Sequence, residues 1–166
     1  MNHGVTGTTQ RQSNNQVNRK VHHLREQKKV RQVKSNVNNM LICFFDIKGL
    51  VHFEFVPQGQ TVIQQFYLEV LKRLRDAVLR KCPELWRSGE WLLHHDNAPT
   101  HTALSVRQFL TKNGTKTASH PPYSPDLAPC NFFLFPRMKS DLKGKRFQNV
   151  EEVREKTMEA LKAITL

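Results

Sequence analysis

The sequence predicts an α/β domain, and three observations carry that reading. Asn38 to Asp46 and Leu50 to Val56 are β-rich runs separated by Ile47-Lys48-Gly49, the pattern of a hairpin with a glycine-containing turn. Apolar stripes at helical spacing begin near residues 61, 101, 129 and 149. Between the first two of these lies a short apolar run, Trp91-Leu92-Leu93, preceded by Ser88-Gly89 and stopped by Asn97-Ala98-Pro99, which reads as a buried strand.

The whole chain of 166 residues, 38% of them hydrophobic, is one domain's worth with enough apolar material for a core. Its charge divides it. Residues 1–36 hold eight Lys and Arg against Glu26 alone, rich otherwise in Asn, Gln and Thr, with no helical or strand period. This basic segment is expected to be poorly ordered, and residues 37–166 form the globular part. A formal charge of +12 suits a polyanionic partner, with Arg19, Lys20, Arg25, Lys28, Lys29, Arg31 and Lys34 as the candidate phosphate-contacting residues. Cys43, Cys82 and Cys130 have no paired spacing, so neither a disulfide framework nor a zinc site is indicated. The longest apolar run, Met40 to Phe45, is six residues, far short of a membrane span.

Taken in order, the hairpin over 38–56 comes first. Asp46 lies beside its turn, where aspartate is ordinary turn chemistry. Thr61 with Gln64 reads as a capping box, starting a helix that runs to 81 on Phe66, Val70, Leu71, Leu74 and Val78. Lys72, Arg73, Arg75, Arg80 and Lys81 share that helix or its end, as a solvated face. Pro83 ends it. After the Trp91 strand, a helix over 101–112 uses Ala103, Val106, Phe109 and Leu110, and Asn113-Gly114 stops it. Thr115 to Ser119 is a short β-capable run. A helix over 129–143 starts at Pro129, is interrupted by Pro136 and buries its Phe132, Phe133 and Phe135 cluster in the core. The last helix, 149–163, is capped by Asn149 with Glu152 and buries Val150, Val153, Met158 and Leu161.

The chemistry-bearing stretch is His94-His95-Asp96-Asn97-Ala98-Pro99-Thr100-His101. Strand alternation puts His94 and Asp96 on one face and His95 on the other. Ligand chemistry in open α/β sheets sits beyond the carboxyl ends of strands, where Asp96 falls, although an aspartate there also serves as a helix cap. Alternation separates the adjacent histidines, so a zinc site built from His94, His95, His101 and Asp96 is disfavoured, and no nucleophile-elbow pattern supports a serine hydrolase.

Thirty-four residues separate Asp96 from Asn131, which comes after the loop Pro121-Pro122-Tyr123-Ser124-Pro125-Asp126-Leu127-Ala128-Pro129. His95-Asp96-Asn97, Tyr123-Ser-Pro-Asp-Leu-Ala-Pro, this spacing and Arg31-Gln-Val-Lys-Ser-Asn36 together resemble the catalytic domain of mariner-family transposases, from roughly Gln12 to the C-terminus. The resemblance implies a ribonuclease H-like fold whose site holds three aspartates. Asp96 takes the second position, Asn131 replaces the third, and the first lies on a strand that should precede Met1, so the fold is expected to be truncated at its N-terminus. Asn131, in the first turn of its helix, is expected to reach back toward Asp96.

The same resemblance implies DNA as partner, largely without sequence preference, a nuclear location, a homodimer as the assembly to test, and Mg²⁺ or Mn²⁺ as cofactor, held weakly by Asp96 and Asn131. Two metal ions about 3.5–4 Å apart need several carboxylates to offset their mutual repulsion, and an asparagine carbonyl can ligate but adds no charge. Three function classes therefore compete: an active metal-dependent nuclease and strand transferase, a transposase-derived nucleic-acid-binding domain without turnover, and a non-functional relic. The basic excess favours the second over the first.

Overall fold

The computed structural model describes residues 4–12 and 39–164. Its sheet has five strands in the order β3-β2-β1-β4-β5, where β1 is Gly4–Gln12, β2 Asn39–Asp46, β3 Gly49–Val56, β4 Leu92–His94 and β5 Lys116–Ala118. β1 lies antiparallel to β2 and parallel to β4, which is in turn parallel to β5.

This arrangement corrects the expected truncation. The strand sought upstream of Met1 is Gly4–Gln12, and it occupies the middle of the sheet. Val5, Thr6, Thr8 and Thr9 are β-branched, but no apolar alternation marks the run; backbone ladders to β2 on one side and β4 on the other hold it in the sheet. The expected disorder of the rest of the basic segment, and its candidate contacts Arg19, Lys20, Arg25, Lys28, Lys29, Arg31 and Lys34, lie outside the described residues.

β2 explains the continuous apolar run of the sequence. Ile42 and Phe44 face one core and Leu41, Cys43 and Phe45 the other, so both faces of the strand are covered and alternation disappears. The first core packs this face against α1 (Gln64–Lys81), through Tyr67, Val70, Leu71, Leu74 and Val78, and against Val106 and Leu110 of α4 (Leu104–Lys112). The second packs the other face against α5 (Phe135–Leu142) and α6 (Val150–Ala163), through Phe135, Met138 and Leu161. Each such side chain, once buried, contributes about 1.5–3 kcal/mol, so the sheet is stabilised from both sides. The hairpin turn needs Gly49, whose φ of +117° is closed to other residues, and Asp46 accepts the Lys48 N–H at 2.8 Å, the turn role expected of it.

Three helical expectations change. The helix at 61 begins at Gln64, with Ile63 as its cap and no side-chain cap bond, so the Thr61 capping box does not form. A short helix α2 (Pro83–Ser88) intervenes before the strand, closed by Gly89 at φ +64°. The helix at 101 is two pieces, α3 (Pro99–Thr102) and α4, broken at the extended Ala103. α6 matches its reading in extent and cap, since Asn149 accepts the Glu152 N–H at 2.8 Å while Glu152 accepts the Gln148 N–H at 2.7 Å, but its buried residues are Thr157, Ala160 and Leu161, with Val150, Val153 and Met158 only half-buried.

The basic face of α1 is partly tied to its own sheet. Arg73 makes a two-pronged contact to Glu54 on β3, both arms at 2.7 Å, and Lys81 donates to the Leu50 and Val51 carbonyls. Burial of Glu54 opposes ionisation, but the hydrogen bonds from Arg73 and His52 more than offset it and lower its pKa.

Candidate functional site

β4 is only three residues long, and the chain turns sharply at its end. Pro99 starts α3, so Asp96, Asn97 and Ala98 form a bend at the carboxyl end of the strand. Asp96 accepts the Ala98 N–H at 3.1 Å and, at 2.6 Å, the Nδ1–H of His101, whose ring is buried. These interactions, led by the His101 hydrogen bond, hold the Asp96 carboxyl down to about 2 against the opposing effect of burial. Asp96 is thus a firmly ionised carboxylate, half-buried at the sheet edge.

Behind it stands an aromatic stack that the sequence did not announce. Tyr67 of α1 is buried, its hydroxyl 3.1 Å from His95 Nδ1 and its ring 4.1 Å from that of His101. His95 and His101 lie nearly parallel, 5.2 Å between ring centres. Burial, then the His101 charge, pushes the His95 pKa down to about 4, and burial together with the Asp96 charge pushes the Tyr67 phenol up. The signal for Tyr67 was an aromatic in the apolar stripe of α1, which periodicity alone reads as core.

The predicted alternation of the two histidines holds. His95 meets Tyr67 and His101, whereas His94 meets His120 just after β5, Nε2 to Nδ1 at 3.1 Å. Asp96 departs from it: β4 stops at His94, the backbone leaves strand geometry, and the carboxylate bonds the His101 side of the bend.

Asn131 sits on a π-helical turn, Cys130–Leu134, ahead of α5. Phe135 donates to the Cys130 carbonyl five residues back, and Pro136 brings no N–H with which to continue an α ladder, so the expected single helix over 129–143 is a π turn joined to an α-helix. Asn131 Nδ2 donates to the Pro125 carbonyl at 2.8 Å, which pins the proline-rich loop to the helix start. In that loop Tyr123 is fully exposed with φ +55°, an uncommon conformation for an aromatic residue. Phe135 is core and Phe133 stacks on Phe45, but Phe132 is exposed, against expectation.

β1 touches the elements that carry both expected site residues, although the Asn131 side chain bonds Pro125. The π turn carrying Asn131 packs against it, and β4 carrying Asp96 at its exit pairs with it. The register Gly4↔Leu92, Val5↔Leu93, Thr6↔His94 ends with β4, and β1 runs on past it through Thr8 and Thr9. The run Gly4–Gln12 contains no Asp or Glu. Among the described residues no group of three or more His, Cys, Asp or Glu gathers so as to hold a metal ion. Asp96 with Asn131 is therefore a donor set that does not fit a pair of hard divalent cations.

Comparison with known proteins gives this geometry a family. A profile described as transposase (partial DDE domain) matches residues 10–88. The Mariner Mos1 transposase of Drosophila mauritiana is 38% identical over 116 residues, 69% of this chain and 34% of that protein. Histone-lysine N-methyltransferase SETMAR of Homo sapiens is 33% identical over 113 residues, 68% of this chain and 16% of that protein. The chain thus spans about a third or less of the length of these curated relatives. Among solved structures, the Mos1 transposase catalytic domain with Raltegravir and Mn superposes with a TM-score of 0.77 at 30% identity, covering 97% of this chain and 70% of that one. The Mos1 transposase paired-end complex with left transposon end does so with a TM-score of 0.82 at 32% identity, covering 97% and 48%. The five-stranded sheet with helices on both faces is accordingly the ribonuclease H-like fold of these catalytic domains, and the chain belongs to the mariner transposase family.

Proposed function

We propose that this chain is a DNA-binding transposase domain without strand cleavage. The observation that carries the reading is β1: the central strand is present and runs beside the strand that ends before Asp96, yet no residue of it is acidic. With Asn131 at the other position, Asp96 is the one carboxylate of the three that the family resemblance expects. In-line phosphoryl transfer at a two-metal site requires both the attacking and the leaving oxygen to be clamped, and a single carboxylate supports at most weak occupancy by Mg²⁺ or Mn²⁺. The relatives' structures with Mn and with a transposon end support the metal class and DNA as the partner.

What this chain retains is a way to meet phosphate. Its formal charge of +12 is concentrated in the basic segment, and binding by counterion release needs no carboxylate site. A nuclear location accords with a DNA partner, and light scattering of the purified chain decides whether it is a homodimer.

The test is nicking of supercoiled plasmid in Mg²⁺ and in Mn²⁺. The unaltered chain and Asn131→Asp are expected to be silent, because each still lacks a carboxylate on β1. Thr8→Asp combined with Asn131→Asp is the pair that should restore nicking. Clear metal-dependent cleavage by the unaltered chain overturns the proposal and restores the active-nuclease reading.

A further inference from the structure

We propose that His94 and His120 form a two-point chelate for a borderline divalent transition-metal ion, of the class of Zn²⁺, Ni²⁺ or Cu²⁺, distinct from the Asp96 and Asn131 position. His94 Nε2 and His120 Nδ1 stand 3.1 Å apart with the ring planes tilted by 39°. A metal bound to two imidazoles at about 2.0–2.1 Å, with an angle between square and tetrahedral at the ion, separates its donor nitrogens by about 2.9–3.4 Å. The two nitrogens already stand at that separation.

The backbone fixes this spacing. His94 is the last residue of β4 and pairs in parallel register with Ala118 of β5, so His120 emerges two residues further along the neighbouring strand. Asn97 Nδ2 donates to the His120 carbonyl at 2.6 Å, and Pro121-Pro122 stiffens the chain beyond it. Both rings are half-buried, open enough for an ion and its waters to reach. The neighbouring imidazoles are otherwise engaged, His101 by Asp96 and His95 by Tyr67, which leaves this pair as the chelate.

In the metal-free protein one imidazole donates its N–H to the lone pair of the other. On binding, that proton moves through solvent to the second nitrogen of its own ring, and a rotation of both rings aims the two freed lone pairs at an ion beside the line that joins the nitrogens. With both rings neutral, no net proton is released. Imidazole nitrogen selects Zn²⁺, Ni²⁺ and Cu²⁺ over Mg²⁺ and Mn²⁺, with Cu²⁺ the tightest. Two protein ligands leave the remaining positions to water, so the site is open to a further ligand.

The experiment is calorimetric titration of the untagged full chain with Zn²⁺ and Ni²⁺ at pH 7.5, with nitrogen chemical shifts of the histidine rings read in parallel. One ion per chain is expected, with shifts confined to His94 and His120 and no displacement by millimolar Mg²⁺. His120→Ala and His94→Gln should each weaken binding roughly tenfold or more, because loss of one arm removes the effective concentration supplied by the other. The double variant should be little worse than either single one, and His52→Ala should bind as the unaltered chain does. Circular dichroism confirms folding of each variant; if His94→Gln unfolds, His120→Ala and the ring shifts of the unaltered chain carry the test. Undiminished affinity in His120→Ala, or shifts at His3, His22 and His23 in place of His94 and His120, overturns the proposal.

Discussion

His95 couples the site to acid stability in a way that can be measured directly. Wedged between Tyr67 and His101, its imidazole has its pKa pushed to about 4, first by burial and then by the His101 charge, from an ordinary value of 6.5. The folded pKa is depressed, so the unfolded chain takes up a proton below pH 6.5 that the folded chain refuses until near pH 4. Stability is therefore full above pH 6.5 and declines as the pH falls through this window. At pH 5 the linkage amounts to about 2 kcal/mol, or about 4–8 °C in Tm for a chain of this size. Asp96, held near 2, stays ionised throughout and adds nothing to this slope, whereas His94, depressed by burial and by His120, adds to it with the same sign. The perturbation that isolates His95 is His95→Gln, which keeps a polar partner for the Tyr67 hydroxyl and cannot titrate. Urea unfolding of both proteins at pH 7.5 and pH 5.0 should show the unaltered chain losing about 2 kcal/mol more than the variant. An equal loss in both would refute the argument that His95 is excluded from protonation by its surroundings.

Replacing Arg19, Lys20, Arg25, Lys28, Lys29, Arg31 and Lys34 with Gln should lower the slope of log affinity against log salt by up to about 6 in a DNA mobility-shift titration, with little change between DNA sequences. An unchanged slope would place the phosphate contacts elsewhere. Deleting residues 1–12 removes β1 from the middle of the sheet, so cooperative thermal unfolding should vanish, whereas a terminal tail would be dispensable. Met138→Ala, at a fully buried position on the core face of α5, should cost about 2–5 kcal/mol by urea unfolding. Asn149→Ala, which strips the α6 cap, should cost about 1 kcal/mol in the same assay.

What could be read from sequence was whatever had a local cause. The hairpin announced itself through Gly49 and two β-rich runs, and α6 through Asn149 as cap with Glu152 three residues on, because both depend on residues within a few positions of one another. Asp96 at a strand exit was legible from the abrupt change of Leu92-Leu93 into a polar bend. β1 was not, since what makes Gly4–Gln12 a strand is the pair of edges that β2 and β4 offer it, far away in sequence. The Thr61 cap failed for a related reason: Thr61 with Gln64 has the right letters, but α1 starts at Gln64, beyond the reach such a box requires. The split of the 129–143 helix comes from Pro136, whose position was plain but whose effect, a widened π turn instead of a stop, depends on Phe135 and Leu134 being anchored in the second core. Likewise the partnership of His94 with His120 exists only once β4 and β5 run side by side.

The placement of β1 also dictates an order of assembly. β2 and β3 are joined by a tight turn and can zip together on the timescale of a hairpin, about 1–10 μs, and β1 can add to β2 from 26 residues away, while its other edge needs β4, which lies some eighty residues further along the chain. Until β4 arrives the second edge of β1 carries unmet backbone donors and acceptors beside β2, whose residues are largely apolar. A sheet that lacks β4 therefore exposes the polar, threonine-rich edge of β1. Closure of so distant a contact is slow for its stability, which leaves that edge open to a strand from another copy and sets concentration as the enemy of correct folding. Refolding yield should therefore fall as the chain concentration rises, even under conditions in which the finished domain is stable.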